Sequence, residues 1–382
     1  MPEKVIIHSA RNLFADVRHC LNAVEFTPKH NEIILKPNAV SIYKSGSGHV
    51  TDLRLVDALI QVLREKYGTG RIWIMDGSSV FLRDSMSILK GIGYEKITRK
   101  HTEVELVDVY DTPLDQGEGR FKLPALLQGR TLINLPVLKG HAQAGLTCAV
   151  KNLKGLLQKE DKKRFHQTGL HENLAMLPSI PSELTLVDAI TCQSCEGDFF
   201  SRKLKLNLLV CAKDPVAADI VGAGLLGLEI ATIPYLKTPV EQTQLMAPGA
   251  LEIIGDARPC VALSPFRTRF THGKIEVFVG EACSGCLASM LAAIATYRHK
   301  DHITRGVILN ALRSLLKRRR EAYVLGKNAP QPIGNFESIC LMGDCACDQF
   351  PGVGGTNYHG CPPMSEDIWQ KQRNQGISRK SL

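Results

Sequence analysis

The sequence predicts an α/β fold in which helices flank a mostly parallel sheet, followed by a smaller C-terminal α/β region that carries a cysteine cluster. Two patterns predict this class. Short apolar runs alternate with helical patterns along the first two thirds of the chain, as in βαβ units. Six of the twelve cysteines lie beyond residue 280.

The apolar runs are the predicted strands, and they occupy residues 5–8, 33–36, 72–75, 105–109, 131–134, 184–187, 206–211 and 252–254. Residues 53–66 and 215–226 have helical periodicity. We expect Asp214 to cap the second of these helices, because Pro215 suits the first helical position. Ligands of such folds gather at the carboxyl ends of the parallel strands, so polar residues just past the strands are the candidates for function.

A second region is predicted to begin at residue 258, which gives expected domains of residues 1–257 and 258–382. Its predicted strands are residues 275–279, 323–325 and 338–342, and its predicted helices are residues 287–297 and 307–320. The C-terminal residues then become rich in glycine and proline.

Composition narrows the class of protein. The 382 residues are 44% hydrophobic, which is enough for two cores. The net charge is +9, but the basic residues are scattered and only 6% of residues are aromatic, so nucleic-acid binding is not expected. Asp219 and Glu229 interrupt the most apolar long stretch, which predicts no membrane span. With no secretion signal visible, we expect a cytoplasmic protein with reduced thiols.

Four cysteines are arranged to hold a metal centre. Cys283 and Cys286 form a Cys-x-x-Cys pair after a predicted strand, and Cys345 follows another predicted strand. If both strands run parallel in one sheet, their outgoing loops meet at the same edge. Cys361, which is followed by two prolines, arrives through a glycine-rich loop. These four are the predicted ligands, with Cys347 as a reserve.

Four thiolates suit an iron–sulfur cluster, and we expect the four-iron, four-sulfur (4Fe-4S) type. Zinc in a tetrahedral structural site is the alternative, and a region without metal is a third interpretation. Cys192 and Cys195 are interpreted as incidental loop thiols, and a redox pair or a metal ligand is the alternative. The remaining cysteines of the first region are expected to be small buried hydrophobic residues: Cys20, Cys148, Cys211 and Cys260.

A second set of polar residues follows the predicted strands of the first region. These residues lie among glycines, which allow the backbone to approach a ligand closely. His141 and Lys151 are predicted to be catalytic, and the predicted ligands of a small anionic substrate are Lys36, Asn38, Lys139, Asn152 and His166. Turn formation and helix capping are the structural alternative for the asparagines.

Six segments together resemble the family of the domain of unknown function 362. They are Lys36-Pro-Asn38, Asp76-Gly77, Asn134-Leu-Pro-Val-Leu-Lys-Gly-His141, Lys151-Asn-Leu-Lys-Gly155, Leu186-Val-Asp188 and Lys213-Asp-Pro-Val-Ala-Ala-Asp219. The resemblance covers about residues 30–240. Members of that family are often described as iron–sulfur proteins, which implies the same cofactor here.

A more distant resemblance is to the lactate racemase-like proteins. The spacing of His141 and Lys151 is similar to that of the catalytic histidine and cofactor-bearing lysine of that family. His166 lies roughly where a nickel ligand follows these two residues in the sequences of that family. This resemblance implies a nickel-pincer nucleotide linked to Lys151.

Two classes of function follow from these features. The first is an iron–sulfur redox enzyme or electron-transfer protein that acts on a small anion and has a redox partner protein. The second is a non-redox racemase or epimerase in which His141 exchanges a proton or hydride with a 2-hydroxy acid. A zinc-stabilised binding protein or a cluster-bearing scaffold is the remaining interpretation.

Overall fold

The computed structural model describes residues 2–78, 84–115, 120–141, 144–194, 202–263, 269–272, 275–280, 282, 286, 290, 320–353, 355–360 and 363. The chain divides into two compact units, Met1–Pro265 and Phe266–Leu382. The sequence predicts this boundary at residue 258.

The first unit is built on a ten-stranded sheet. Its strands are β1 (Glu3–Ser9), β2 (Ile33–Pro37), β3 (Ile72–Asp76), β4 (Val104–Asp108), β5 (Thr131–Leu135), β6 (Val137–His141), β7 (Gly145–Thr147), β8 (Leu184–Gln193), β9 (Lys203–Ala212) and β10 (Leu251–Ile254). Their order is β10-β1-β9-β8-β5-β2-β3-β4, and β6 pairs with both β8 and β7. Antiparallel pairing is confined to β9 and β7, so the predicted mostly parallel sheet is confirmed.

Helices cover both faces of this sheet. They are α1 (Leu13–Ala23), α2 (Leu53–Tyr67), α3 (Ser85–Ile92), α4 (Tyr94–Lys100), α5 (Ala149–Asn152), α6 (Lys159–Thr168), α7 (Leu170–Leu174), α8 (Pro215–Leu225) and α9 (Pro234–Thr243). Helices α1–α4 pack into one apolar core, and α5–α9 pack into another. Ile33 and Leu35 of β2 belong to the first core, whereas Ile34 belongs to the second. Burial on both faces explains why the first three residues of β2 are all apolar.

Local sequence signals account for the ends of several helices. The Asp214 carboxylate accepts hydrogen bonds from the backbone N–H groups of Val216 and Ala217, so its predicted capping role is confirmed. Helix α2 is capped at its start by Asp52 and is followed by Gly68, which has a φ of +60°. This left-handed backbone conformation at a helix end favours glycine.

The second unit contains a five-stranded sheet, β11 (Arg269–His272), β12 (Ile275–Val279), β13 (Glu321–Leu325), β14 (Ser338–Met342) and β15 (Thr356–Tyr358), in that order. The strands β12 to β15 are parallel. Helix α10 (Asp344–Gln349) follows β14. The predicted helices at residues 287–297 and 307–320 lie almost entirely outside the described residues.

Several strands differ from the sequence-based expectation. The predicted strand at residues 184–187 continues to Gln193, and the β6–β7 hairpin, β11 and β15 were not predicted. Across the described ranges, no helix is long and apolar enough to cross a membrane.

Candidate functional site

The carboxyl edge of the large sheet opens where β5 ends. Strand β5 pairs with β2 up to Leu135, opposite Pro37. After Pro136 the chain continues as β6, which pairs with β8 instead. Proline has no N–H to donate to a ladder, so the pairing with β2 stops there. The edge next to β2 is filled by polar side chains rather than by further backbone pairing.

A buried ion pair lies at this edge. Lys36 is 1% exposed, and its Nζ lies 2.8 Å from Asp76 Oδ1. The same Nζ donates to the carbonyl of Pro37 at 2.6 Å, and Asp76 Oδ2 accepts from the N–H of Ala39 at 2.8 Å. Burial lowers the pKa of Lys36, and Asp76 opposes that shift. The predicted substrate ligand Lys36 is therefore held inside the protein by a carboxylate.

Glycine is the only residue type that fits at position 155, beside this ion pair. A Cβ at position 155 would lie 2.2 Å from Asp76 Oδ1 and 2.5 Å from Lys36 Nζ. Contacts this short exclude every side chain unless the ion pair moves. Packing against the ion pair thus explains why the Lys151-Asn-Leu-Lys-Gly155 segment ends in glycine.

Lys162 is a second buried cation next to Asp76. It extends from α6, and its Nζ donates to the carbonyl of Gly77 at 2.7 Å and to Tyr110 Oη at 2.9 Å. Burial lowers its pKa to about 7. Sequence reasoning missed this residue within a basic segment. The signal was its position three residues before the buried Phe165, on the inward face of the helix.

Three asparagines extend the polar network. Asn152 Nδ2 donates to Asn134 Oδ1 at 2.8 Å and to the carbonyl of Lys36 at 3.1 Å. Asn38 Nδ2 donates to Asn152 Oδ1 at 3.2 Å. Asn38 Oδ1 is buried, and within the described part of the chain it has no hydrogen-bond partner. We call these groups the buried polar cluster: Lys36, Asn38, Asp76, Asn134, Asn152 and Lys162.

Asp219, which sequence reasoning did not select, fixes the helix that carries Lys151 and Asn152. Its carboxylate accepts from the N–H of Ala149 at 2.5 Å and from that of Val150 at 3.2 Å, at the start of α5. Burial raises its pKa to about 7. The signal in the sequence was a single aspartate within the otherwise apolar helix α8.

Asp188 anchors the loop before α2 in a similar way. Its carboxylate accepts from the N–H of Asp52 at 2.8 Å and from that of Ile190 at 3.1 Å. Burial raises the pKa of Asp188 to about 7. Thr51 also fastens this loop, because its hydroxyl donates to the carbonyl of Leu135 at 2.7 Å.

The β6–β7 hairpin brings together the predicted residues Lys139, His141 and Lys151. Lys139 pairs with Thr147 across the hairpin. Lys139 Nζ donates to the carbonyl of His49 at 2.8 Å, and Lys151 Nζ donates to Thr147 Oγ1 at 3.4 Å. We call this group the basic hairpin: Lys139, His141, Thr147 and Lys151. The backbone of His166 lies in α6, and its side chain lies outside the described residues.

The predicted cysteine ligands follow strands of the smaller sheet. Cys286 comes after β12 and is buried, and Cys345 comes after β14 and is partly exposed. A Cβ at Gly343, whose φ is +90°, would lie 3.1 Å from Cys286 Sγ, 3.4 Å from the carbonyl oxygen of Gly360 and 3.6 Å from Pro363. The segments after β12, β14 and β15 therefore converge at one edge.

Hydrogen bonds hold this edge together. Gly343 donates its N–H to the carbonyl of Tyr358 at 2.8 Å, and Gly360 donates its N–H to Asp344 Oδ1 at 2.8 Å. Cys347 is buried, and its Sγ lies 3.8 Å from the carbonyl oxygen of Leu341 in the core of the unit.

Some cysteines are placed differently from the prediction, and others lie outside the described residues. Cys283, Cys361 and Cys195 lie outside the described residues. Cys192 is buried in β8 and is not a loop thiol, because β8 is longer than predicted. Cys260 is exposed rather than buried, because the segment after β10 lies at the surface. Cys20, Cys148 and Cys211 are buried as predicted.

A cleft of about 820 Å³ lies at the opposite, amino-terminal edge of the large sheet. Its lining includes Lys29, Arg130, Glu183 and Lys213. None of the residues predicted from the sequence to be functional lines it.

Comparisons with known proteins place half of the chain in one family. Residues 33–224 match the sequence model described as Domain of unknown function (DUF362). A thylakoid-associated protein of Synechocystis sp. is 25% identical over 244 residues, which are 60% of this chain and 74% of that protein. A crystal structure of a Thermotoga maritima protein is 12% identical with a TM-score of 0.39, over 90% of this chain and 91% of that one.

Proposed function

This chain belongs to the family of the domain of unknown function 362, and from that premise we propose that it is an iron–sulfur redox protein. The second unit would hold the cluster, and the first unit would bind a small anionic substrate at the carboxyl edge of its sheet. A partner protein would supply or accept the electrons.

One observation carries the proposal for the cluster. Cys286 Sγ lies against Gly343, at the edge where the segments after three parallel strands meet. Because Gly343 has no Cβ, the backbone leaves room around the thiol. The residues that would hold the cluster are Cys283, Cys286, Cys345 and Cys361. Four thiolates are the usual ligands of such clusters, which supply one-electron transfer when bound.

The choice between Cys345 and Cys347 rests on where their side chains lie. Cys347 is packed in the core, with its thiol near the carbonyl oxygen of Leu341, so it would have to leave that core to bind a metal. Cys345 is partly exposed at the start of α10. This difference supports Cys345 as the ligand.

The basic hairpin supports an anionic substrate. Lys139 and Lys151 flank Thr147, and both lysines contribute positive charge to the same small region. The buried polar cluster fixes β2, β5 and α5 relative to one another through Asn152, which follows Lys151 in the chain. Rigid support of this kind holds binding groups in position for a ligand.

Metal and sulfide analysis of protein purified without oxygen tests the cluster. We expect about four iron and about four sulfide per chain, with a broad visible absorption. Cys345→Ser should lose most of both. Cys347→Ala should retain them, and so should Cys211→Ala, a matched control in the first unit. Zinc without sulfide in the unaltered protein would refute the proposal.

Calorimetric titration with inorganic phosphate tests the anion site. We expect Lys139→Gln and Lys151→Gln to weaken binding about tenfold each, because each removes a charged donor worth about 1.5 kcal/mol or more. Lys96→Gln, on the exposed side of α4, is the control and should bind as the unaltered protein does. Equal binding by all four proteins would contradict the assignment. A lysine-linked nickel-pincer cofactor is the alternative, and an unmodified Lys151 in protein from its native host would exclude it.

A further inference from the structure

Helix α6 is attached to the first unit through little apolar surface. Phe165 is the one apolar residue among its ten, and it packs against Phe121 with the ring centroids 5.8 Å apart. The side chain of Gln158, which precedes the helix, donates to the carbonyl of Val109 at 2.9 Å instead of capping α6. Helix α2, by comparison, buries seven apolar side chains. A helix attached in this way can open locally while the rest of the unit stays folded.

Lys162 supplies the polar attachment of α6. The residue is 4% exposed, and its Nζ donates to the carbonyl of Gly77 at 2.7 Å and to Tyr110 Oη at 2.9 Å. The carbonyl oxygens of Ser78 and Gly155 lie 3.4 Å from the same Nζ. These acceptors follow β3, β4 and α5 in the chain. Withdrawal of Lys162 would therefore break a link between α6 and each of three segments.

The carboxylate of Asp76 is already engaged by other groups. Its Oδ1 lies 2.8 Å from Lys36 Nζ, and its Oδ2 accepts from the N–H of Ala39 at 2.8 Å. Within the described part of the chain, the acceptors of Lys162 are carbonyl oxygens and one phenol oxygen. A buried ammonium without a contacting carboxylate is unfavourable. A neutral amine suits the same surroundings, because the Tyr110 hydroxyl can donate to its lone pair.

The charged groups around Lys162 do not cancel the effect of burial. Asp76 and Asp108 favour the charged form, whereas Lys36 and Lys154 disfavour it. Burial is the largest effect, and it lowers the pKa of Lys162 to about 7. Other titratable residues of α6 and of the segments that pack against it include Tyr110, Lys159, Glu160, Asp161, Lys163, Arg164, His171 and Glu172.

We propose that α6 is a proton-sensitive latch, which is closed when the Lys162 amine is neutral and opens with the uptake of one proton at Lys162. In the open state the ammonium is hydrated, so it no longer needs a neighbouring carboxylate. Opening also brings water to Gly77 and Gly155, which lie beside the Lys36–Asp76 pair. This inference does not depend on the proposed redox function or on the proposed anion site.

Linkage gives the direction of the pH dependence. The pKa of Lys162 is about 7 in the closed state, and a hydrated lysine has a pKa of about 10.4. Between these values the closed state holds an amine and the open state holds an ammonium, so the opening constant rises about tenfold for each unit by which the pH falls. Below about pH 7 the side chain is charged in both states, so the opening constant becomes constant.

Hydrogen exchange of the α6 amides measures this opening. Exchange rates are divided by the intrinsic rate at each pH, under conditions in which the helix closes faster than its open amides exchange. We expect the protection of α6 to fall about a hundredfold from pH 9.5 to pH 7.5 and to change little below pH 7. The amides of α2 should stay more strongly protected than those of α6. Equal protection of the two helices at every pH would overturn the proposal, because α6 would then open only with the whole unit.

Two variants of neighbouring lysines assign the pH dependence. Lys162→Met removes the titrating group and retains a long apolar stem, so the protection of its α6 should change less than about threefold over the same range. Lys163→Met alters an exposed residue of the same helix and should keep the hundredfold change. If Lys162→Met keeps the full change, or Lys163→Met loses it, the latch is assigned to the wrong residue and the proposal fails.

Nuclear magnetic resonance of the unaltered chain labelled with carbon-13 at lysine provides a measurement that does not depend on the stability of a variant. The Cε signal of Lys162 is identified by its loss in Lys162→Met or, if that protein does not fold, in Lys162→Arg. We expect this signal to titrate near pH 7 and that of Lys163 to titrate near the ordinary value of about 10.4. Titration of Lys162 near that ordinary value would overturn the proposal.

Discussion

Substitution of Asp76 by asparagine should destabilise the first unit by about 3–5 kcal/mol, the usual cost of removing one partner of a buried ion pair. The carboxylate lies 2.8 Å from Lys36 Nζ, and the side chains are 5% and 1% exposed. Without it, Lys36 either stays charged in the interior or releases its proton. Releasing a proton at pH 7 from a group with an ordinary pKa of about 10.4 costs about 5 kcal/mol. The two routes therefore give similar magnitudes.

Urea unfolding followed by the fluorescence of Trp73 measures this loss. Trp73 lies in β3, three residues before Asp76, and is 5% exposed, so unfolding of the first unit changes its emission. The chain has one other tryptophan, and Trp369→Phe removes its signal. The control is Glu65→Gln in the pair with Arg18, which has the same 2.8 Å separation but side chains that are 50% and 45% exposed. That change should cost about 1 kcal/mol or less.

A double variant separates the ion pair from other effects of the substitution. Lys36→Met in the Asp76→Asn background removes the unpaired ammonium, so the double variant should be more stable than Asp76→Asn alone. An Asp76→Asn loss below about 1 kcal/mol would refute the reasoning, because it falls in the range of exposed pairs. Additive losses from the two single changes would also refute it.

Three further predictions concern other residues. Gly343→Ala should lower the iron content, because its Cβ would lie 3.1 Å from Cys286 Sγ; Gly352→Ala, with a similar φ of +80° and no neighbour within 4 Å, should retain iron. Burial raises the pKa of Asp188 to about 7 from about 3.9 in the unfolded chain, so its contribution to stability falls as pH rises between those values; the urea midpoint of the unaltered protein should drop more between pH 4 and pH 8 than that of Asp188→Asn. Asp219→Ala should cost about 2 kcal/mol or more by leaving two backbone N–H groups without their acceptor, and hydrogen exchange at the first two amides of α5 should become faster; unchanged protection would contradict the capping role.

Most strands of the fold could be predicted because each of these is a short apolar run. The runs at residues 33–35 of β2 and 72–75 of β3 stand out because both faces of these strands are buried, so their side chains are apolar up to Lys36 and Asp76. The β6–β7 hairpin was missed for a physical reason. Its residues include Lys139 and His141, so the segment is not a continuous apolar run. Its strand pairing is set by the neighbouring β8, which the sequence does not show.

The site could be predicted in part. Lys36, Asn38 and Asn152 were predicted from their positions, and they lie together with Asn134, which was not predicted to be a site residue. Their roles could not be derived, because the partner of Lys36 is Asp76, which reaches it only through the side-by-side order of β2 and β3. The burial of Lys162 likewise depends on where α6 packs.

The convergence of chain segments at Gly343 affects how a metal would be acquired. The chain between Cys286 and Gly343 forms a long loop, and closing it costs entropy that grows by about 0.6 kcal/mol with each doubling of length. The parallel pairing of β12, β13 and β14 closes that loop independently of any inorganic centre. Metal binding would then not have to offset the entropy lost in bringing distant thiols together. The affinity for the metal would be governed by coordination chemistry and by the protonation of the cysteine sulfurs.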